Sequence, residues 1–493
     1  MTFIQTSPRR LLFAGIGLIL LSWSLATPMF GVPDENSHFI AVIGAKNLDF
    51  DTRVEVDGFF TSGNTCFVFK PEIPADCYSV AWDSSVKSVE TTTSGYSPFF
   101  YVLASPPLFI FSNTSSFIAV RLWVTFLNFL LISIALNSIL NTLRSHRAIV
   151  PLSLALLPFP LYLSGSISPS GTAYALALLS AALFYRILFH RRDLKTNLGF
   201  TFSLLGFILV RRDSVLWLSL VLVCLPWFGP FRSRVKRCVY SSNAKKLISL
   251  IFTGIFIIIA FTANQYAFSI ARKIQSLKAK DMVYGIGRVY SNFIQFEGVY
   301  GWLTETIPNE IYMLLSVYIF GTIFYCFTFG SSYFRRFIGI LLSSIIFALV
   351  VGNGVRPSYI QGRYLFPIFA FLVVTLSYSL NQRTPRVDRL TRRRITTIMF
   401  CTLTTTSLVS FAESSKRFSG GSSSGFSEVI YGHVGPFQFR IIWLMLTYFV
   451  GLYLIFFSSS KPAVIPMDWN TERSALDGSE TSPFDSRVSG ENE

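Results

Sequence analysis

The chain has 493 residues, of which 51% are hydrophobic and 14% are charged, and it contains 50 phenylalanines. This composition is typical of a polytopic membrane protein and excludes an ordinary soluble domain. The formal net charge of +16 would indicate a nucleic-acid partner in a soluble protein. Here the basic residues fall between apolar runs, where they set membrane orientation. We therefore predict a lipid-bilayer environment and no nucleic-acid partner.

Apolar runs divide the chain into about twelve candidate spans, since a transmembrane helix needs about 20 apolar residues. The fold predicted from them is an all-α polytopic membrane protein. The runs at 149–164 and 197–210 are short and predict tilted or re-entrant segments. The sequence is compatible with either two full spans or a re-entrant hairpin at 197–230. The runs are 11–30, 116–140, 149–164, 171–189, 197–210, 214–230, 247–267, 311–329, 337–352, 364–380, 395–412 and 437–458.

The first run has two interpretations. Arg9 and Arg10, an apolar core and Ser24-Leu25-Ala26 resemble a cleavable signal peptide. The run is also long enough to span and is followed by many others. We expect it to be retained as the first transmembrane helix.

Charge between the runs predicts the orientation. Residues 31–97 hold ten acidic and four basic residues, which suits the outer side. The basic clusters fall on the opposite side, as the positive-inside rule requires. We expect a bacterial cytoplasmic membrane protein with both termini in the cytoplasm. The predicted parts are a transmembrane domain at 1–460, external segments at 31–115, 268–310 and 352–364, and a disordered cytoplasmic tail at 461–493.

The segment after the first run carries the strongest candidate site. Pro33 ends the preceding helix, and Asp34 is predicted to cap a new one by accepting backbone N–H groups. On that helix Asp34, Glu35 and His38 can share one face. Two carboxylates and an imidazole at a membrane exit form a candidate acid/base site. The alternative is a helix cap with solvated neighbours, which needs no chemistry.

The opposite face of this helix is apolar. Phe39, Ile40, Val42 and Ile43 lie on it, which predicts a helix lying in the plane of the membrane interface.

Further candidates lie before and within the next runs. Tyr96 and Tyr101 flank a short predicted helix and face either a substrate or the headgroups of an aromatic belt. Arg121 is an intramembrane charge that either faces a polar interior or snorkels to the surface. Arg211 and Arg212 precede Asp213. They either hold a phosphate or mark a topological break with partial neutralisation.

Two of the six cysteines, Cys66 and Cys77, fall in the predicted external loop. A disulfide between them suits an oxidising compartment, although two free thiols are also compatible with the sequence. The scattered histidines and cysteines show no zinc-binding spacing.

The segment 352–367 is the second candidate site. It places arginines, tyrosines, a glutamine and glycines at the same predicted membrane face as Asp34. Its arginines can pair with a carboxylate or a phosphate, and Gly362 permits close backbone approach. The candidate binding residues here are Arg356, Gln361, Arg363 and Tyr364.

Three motifs resemble a family of bacterial integral membrane proteins of unknown function that is allied to the GT-C glycosyltransferases. They are Val32-Pro33-Asp34-Glu35-Asn36-Ser37-His38-Phe39, Tyr96-Ser97-Pro98-Phe99-Phe100-Tyr101 and Gln361-Gly362-Arg363-Tyr364-Leu365-Phe366-Pro367. The resemblance covers most of residues 1–380. This chain departs from it at Ser170-Gly171, where relatives tend to carry an acidic residue, so a carboxylate role there is not expected.

The resemblance implies a GT-C-like fold and a polyprenyl-phosphate-linked sugar donor used on the outer side of the membrane. By that likeness Asp34 would be the general base, Glu35 would assist it or bind a divalent metal, and His38 would orient a carboxylate or contact the departing phosphate. Arg363 and Gln361, with Arg211 and Arg212, would hold that phosphate.

The predicted function is therefore an inverting membrane glycosyltransferase that builds a cell-envelope glycan. The alternatives are a transporter or flippase for a lipid-linked glycan and a non-catalytic assembly partner. A transporter would be expected to place its charges near the bilayer midplane and to show repeated halves. The sequence leaves open the sugar, the acceptor, the lipid length, any metal requirement and the oligomeric state.

Overall fold

The computed structural model describes most of the chain outside one long internal segment and the two ends. The described residues are 8–51, 53–62, 66–78, 83–91, 93, 96–143, 146–189, 193–233, 277–355, 360–381 and 389–460. The predicted run at 247–267, the tail at 461–493 and Arg356 lie outside them.

The described residues form an all-α polytopic membrane protein. Seven helices are long and apolar enough to cross a membrane, and three shorter apolar helices accompany them. The bundle helices are α1 (Pro8–Ala26), α5 (Asn113–Thr142), α8 (Pro169–Phe189), α9 (Leu194–Val210), α10 (Ser214–Cys224), α12 (Asn309–Phe329), α13 (Ser332–Val355), α14 (Phe366–Asn381), α15 (Arg389–Gly420) and α17 (Ile441–Ser460).

Shorter elements connect the bundle helices. The helices are α2 (Glu35–Lys46), α3 (Phe59–Ser62), α4 (Pro98–Ala104), α6 (Ile149–Leu152), α7 (Pro158–Ser164), α11 (Ala279–Gly298) and α16 (Ser427–Tyr431). Within the described residues three antiparallel strand pairs join β1 (Arg53–Asp57) with β2 (Val86–Glu90), β3 (Val299–Tyr300) with β4 (Glu305–Thr306), and β5 (His433–Val434) with β6 (Phe439–Arg440).

The predicted run at 149–164 is broken rather than continuous. It forms α6, a 3₁₀ turn at Ser153–Leu156, and α7. Pro158 occupies the first turn of α7, where its missing N–H costs no helical hydrogen bond. The stretch 197–230 forms two separate helices, α9 and α10, which meet at Arg211–Asp213.

The first and last described bundle helices pack closely through glycine. A Cβ atom on Gly15 of α1 would lie 2.5 Å from the carbonyl oxygen of Gly451 on α17. Small residues let two helix backbones approach in this way, and dispersion contacts then hold the helices together. Trp23 lies one helical turn from the end of α1 in the core, and its ring contacts those of Tyr162, Tyr300, Phe411 and Tyr448.

Helix α2 does not lie on the surface with its apolar face in lipid, as its pattern predicted. Phe39 and Val42 are fully buried, and the Phe39 ring packs against Phe30, Phe60 and Phe117 at centroid distances of 6.4, 5.0 and 5.1 Å. The apolar face is therefore covered by protein, because the segments on both sides of α2 fold back over it.

The alternating direction of the helices brings several connections to one end of the bundle, here called the Asp34 end. It contains α2, α4, the α7–α8 turn, the α9–α10 turn and the 3₁₀ helix Gly362–Leu365 that precedes α14. At the opposite end, Arg9 near the start of α1 donates to Asn141 near the end of α5 at 3.2 Å.

Candidate functional site

A buried ion pair fixes the start of α2. Glu35 is fully buried, and Arg121 of α5 donates to it through Nε at 3.0 Å and Nη2 at 2.6 Å. Arg121 also donates to the carbonyls of Ser24, Thr27 and Pro28 at the end of α1. The backbone N–H of Ile167 donates to Glu35 at 3.1 Å. Arg121 therefore faces a polar interior and joins three segments.

This pair corrects the expected grouping of Glu35 with Asp34 and His38 on one face. Both Glu35 oxygens are taken by Arg121 in a two-bond arrangement, which suits a structural pair in a low-dielectric interior. Glu35 is thus oriented away from its neighbour Asp34, and it supplies no free oxygen to a metal or an acceptor.

Asp34 pairs with Arg363 instead of capping its helix. It occupies the N-cap position of α2 with a left-handed backbone, φ 62°, and its side chain makes no capping hydrogen bond. The carboxylate accepts from Nη2 of Arg363, and Nη1 of the same arginine donates to the Pro33 carbonyl at 3.3 Å. The predicted cap is wrong because this long-range ion pair takes the side chain. The Asp34 side chain is 36% exposed, whereas that of Arg363 is 4% exposed.

The loop that carries Arg363 is seated on α11. A Cβ atom on Gly362 would lie 2.5 Å from the Asn292 carbonyl oxygen, so only glycine fits. Gln295 accepts from the Gly362 N–H at 3.1 Å, and Asn292 donates to the Ile360 carbonyl at 2.6 Å. Asn353 donates in turn to Asn292 at 2.6 Å. Sequence reasoning missed these three amides; an asparagine at the end of an apolar run was the available signal.

His38 lies one turn after Asp34 against the aromatic segment. Its Nδ1 is 3.0 Å from the Tyr101 hydroxyl, and its ring meets that of Tyr96 edge-on at 5.3 Å. Ser97 caps α4 by accepting from the Phe99 N–H at 3.3 Å, with Pro98 in the first turn. Tyr101 is 3% exposed, so it lies inside the site and not among the lipid headgroups.

Arg211 joins the site from the α9–α10 turn. It is 4% exposed and donates to Asp213 at 2.7 and 3.1 Å and to the Ser170 hydroxyl. Its guanidinium lies 4.7 Å from the ring centre of Tyr364 and 5.8 Å from that of Tyr96. Arg363 approaches the same Tyr364 ring at 5.7 Å. Arg212, by contrast, is exposed.

Burial and neighbouring charges together determine the protonation states of Asp34 and His38. Burial works to raise the pKa of Asp34, but the charge and hydrogen bond of Arg363, with Arg211 beyond, hold it below the ordinary value. Burial lowers the pKa of His38 to about 3. The site therefore combines an ionised carboxylate, a neutral imidazole and two guanidinium groups at neutral pH.

Two polar atoms in the cluster have unused hydrogen-bonding capacity. Within the described residues, Arg363 Nε and Gln361 Oε1 are buried without a hydrogen-bond partner. Buried polar atoms are normally paired, so each such atom is a candidate contact for a ligand. The arrangement can bind an anion through guanidinium donors beside a carboxylate that can accept a proton.

A divalent metal does not fit the residues present. In the described part of the chain no group of three or more histidine, cysteine, aspartate or glutamate side chains is placed to hold one. Of the two expected ligands, Glu35 is committed to Arg121 and Asp34 to Arg363.

Fold and site together define a polytopic membrane protein with a buried arginine–carboxylate cluster at one end of its helical bundle. The chain belongs to the family described as "Predicted membrane protein (DUF2142)", whose model matches residues 18–372. No match to a curated protein was found. The crystal structure of ArnT from Cupriavidus metallidurans in the apo state is similar with a TM-score of 0.41 and 12% identity, over 90% of this chain and 74% of that chain.

Proposed function

We propose that this protein is a membrane glycosyltransferase that takes a sugar from a polyprenyl-phosphate donor at the outer side of the cytoplasmic membrane. The acceptor is a hydroxyl group of a cell-envelope glycan, and transfer inverts the anomeric centre. One observation carries the proposal: Arg211 and Arg363, 152 positions apart in the sequence, are both buried and approach the same Tyr364 ring beside the Asp34 carboxylate.

The two arginines supply the phosphate site. A guanidinium has five N–H donors in a planar fork that matches phosphate oxygens. Arg363 uses one donor on Asp34 and one on Pro33 and leaves its buried Nε unpaired. Arg211 is fixed by Asp213 and Ser170, so its side chain is already ordered before a ligand binds. Fixed donors stabilise the charge that develops on a leaving phosphate without reorganisation.

Asp34 supplies the base. The acceptor oxygen attacks the anomeric carbon, the bond from that carbon to the phosphate oxygen breaks, and its electron pair leaves with the lipid phosphate. The acceptor proton passes to the Asp34 carboxylate. A phosphate that draws Arg363 toward itself weakens the contact that lowers the Asp34 pKa, so donor binding makes the carboxylate a better base.

His38 acts as a positioning residue in this proposal. It is neutral and held by Tyr101, so it adds no positive charge that would compete with the arginines for phosphate. The Tyr96 ring contacts both the His38 ring and the Arg211 guanidinium, so it helps to hold the imidazole in place beside the arginines.

The test is transfer by the purified full chain from synthetic polyprenyl-phosphate sugars, together with the envelope glycan of a deletion strain. Wild type should restore the missing sugar, and Asp34→Asn at equal protein level should not. Arg363→Lys should weaken donor use, because one ammonium cannot replace a planar fork. Asp51→Asn, at an exposed carboxylate that follows α2, is the matched control and should behave as wild type.

If Asp34→Asn fully restored the missing sugar, Asp34 would have no acid/base role. The flippase or the non-catalytic assembly partner would then be the better interpretation. Loss of the glycan in the Asp51→Asn control as well would show that the effect is not specific to Asp34 and would remove its assignment as the base.

A further inference from the structure

A polar cavity opens at the Asp34 end of the bundle, and its lining contains none of the residues of the arginine cluster. Its volume is about 470 Å³, within the range of about 300–1,000 Å³ of ligand pockets. The walls are the β3–β4 hairpin and the start of α12 on one side, and α15 with the external loop on the other. The lining includes Thr304, Glu305, Asn309, Glu413 and Ser422.

The disulfide loop forms one wall of this cavity and is firmly held. Cys66 and Cys77 are bonded, and the loop between them wraps the Arg417 guanidinium. Arg417 donates to the carbonyls of Phe67 at 3.0 Å, Lys70 at 2.9 Å and Ile73 at 2.8 Å. The Ser422 N–H donates to the Pro71 carbonyl at 2.8 Å. The wall is therefore preformed, which lowers the cost of ordering it around a ligand.

Two polar groups of the cavity lack hydrogen bonds within the described residues. Glu305 is 8% exposed, and the nearest cation, Arg417 Nε, is 3.9 Å from its carboxylate. The Thr304 hydroxyl is buried without a partner. A buried hydroxyl without a partner and a buried carboxylate held only by a distant guanidinium both cost free energy, and a ligand with hydroxyl donors would recover it. Burial raises the pKa of Glu305 to about 7, so this carboxyl can accept or donate near neutral pH.

An aromatic edge lies beside the hairpin. Trp302, in the turn that precedes Thr304, meets the Phe69 ring at a centroid distance of 5.4 Å, and Phe69 is 67% exposed. Trp302 Nε1 donates to the Phe30 carbonyl at 2.9 Å. Phe30 lies four residues before Asp34, so the cavity wall is connected directly to the segment that carries the proposed base.

We propose that this cavity binds the non-reacting part of a neutral or amino-bearing glycan and so serves as the acceptor subsite. The inference rests on the proposed function. Sugar hydroxyls donate to carboxylates and amides, and the C–H face of a sugar ring packs on aromatic surface. Among the described residues the lining contains two carboxylates and no lysine or arginine, while Lys416 lies 2.6 Å from Glu413 and Arg417 lies 3.9 Å from Glu305. The lining therefore offers acceptors to hydroxyl and amino groups, and its own side chains offer no cation to the carboxylate of an acidic glycan. The arginine cluster has the opposite preference and suits the donor phosphate.

The experiment measures binding alone, by calorimetry on the full chain in nanodiscs without any donor. The probes are maltotriose, chitosan trisaccharide and trigalacturonic acid. We expect saturable binding of a neutral or amino trisaccharide and at least tenfold weaker binding of the acidic one. Glu305→Gln should weaken binding at least tenfold. Thr306→Trp, at an exposed lining position, should abolish it by filling the cavity without removing an internal contact.

Two controls separate this inference from the proposed function. Glu310→Gln, an exposed carboxylate at the start of α12 outside the lining, should bind as wild type, and so should Asp34→Asn. Binding that persists unchanged in both Glu305→Gln and Thr306→Trp, or that is absent for both non-acidic probes, overturns the acceptor subsite. Loss of transfer in Asp34→Asn with binding retained would leave both conclusions standing. Transfer by Asp34→Asn would overturn only the proposed function.

Discussion

At the scale of single residues, Asp34 and Glu35 are neighbours with different environments. Glu35 is fully enclosed with Arg121, whereas the side chain of Asp34 is 36% exposed beside Arg363. Removing one partner of a buried pair leaves an uncompensated charge, while a partly exposed pair is screened by solvent. The two carboxylates should therefore separate stability from activity.

We predict that Glu35→Gln lowers the free energy of unfolding by about 3–5 kcal/mol, and that Asp34→Asn lowers it by less, because the Asp34 carboxylate is 36% exposed although Arg363 is buried. Thermal unfolding of the detergent-purified chains, followed by tryptophan fluorescence, compares them. Asp34→Asn should lose transfer while folded. Equal destabilisation by both changes would contradict the assignment of Glu35 to structure and Asp34 to chemistry.

His38 should make stability depend on pH. Its folded pKa is about 3 and its ordinary value is 6.5, so between these limits the unfolded chain binds more protons. Stability then falls as pH drops below 6.5, by up to about 1.4 kcal/mol per pH unit. Asp34, Arg363 and Arg211 face this imidazole. Asp34 affects the pH dependence only at lower pH. Its folded pKa lies below the ordinary value of 3.8, so the stabilisation that its charge provides is lost only as the pH falls below about 3.8.

The measurement is the unfolding free energy of wild type and His38→Gln between about pH 7 and 5. Glu297 and Glu305, whose pKa values burial raises to about 7, change stability in the opposite direction, so the difference between the two chains is the useful quantity. That difference should shrink as pH falls. His433→Gln, at an exposed histidine in β5, is the matched control for the loss of one histidine.

The sequence predicted which residues form the site where helical spacing determines their position. It did not predict their hydrogen-bonding partners, which come from distant segments. Helical spacing placed His38 one turn after Asp34, and the turn residues marked Arg363. The partners of Asp34 and Glu35 lie 329 and 86 positions away, and local pattern contains no information on such pairs. Arg417, buried at the end of α15, was missed entirely, because only the folded disulfide loop supplies its three carbonyls.

At the scale of elements, the position of Arg363 depends on the contact between its loop and α11. Gly362→Ala would push a methyl group against the Asn292 carbonyl and should cost about 1–3 kcal/mol. It should also displace Arg363 and reduce donor use. Gly287→Ala on the same helix meets nothing within 4 Å and should be neutral or stabilising by about 0.5–1 kcal/mol. Unfolding and transfer assays on both variants test this. Equal changes in stability and transfer for the two variants would exclude the proposed packing of Gly362 against α11.

Hydrophobic periodicity identified most of the bundle helices but not the residues that each helix packs against. The runs at 116–140 and 311–329 became α5 and α12, since length and apolarity alone dictate a span. The apolar face of α2 was mistaken for a lipid contact because the pattern is the same whether lipid or protein covers it. The apolar face in fact packs against Phe60 and Phe117. These residues belong to other segments, and periodicity does not predict where those segments lie in the fold.

At the scale of the whole molecule, the two proposed subsites lie at the same end of the bundle and differ in charge. The cluster around Tyr364 presents guanidinium groups, and the cavity beside β4 presents carboxylates. The guanidinium groups would then attract the donor phosphate, and the carboxylates would accept hydrogen bonds from a neutral or amino-bearing acceptor, before the two meet near Asp34. This division requires that both sites open to the side of the membrane where lipid-linked sugars are displayed.

Orientation therefore decides the proposal, and cysteine labelling measures it. In a background with Cys224, Cys238, Cys326 and Cys401 replaced by serine, Asp51→Cys reports the Asp34 end and Lys195→Cys the opposite end, where α9 begins. The basic residues of that opposite end should keep it in the cytoplasm. A membrane-impermeant maleimide added to intact cells should label Asp51→Cys, and should label Lys195→Cys only after permeabilisation. The reverse pattern would place Asp34 and Arg363 in the cytoplasm, away from an outer-leaflet donor.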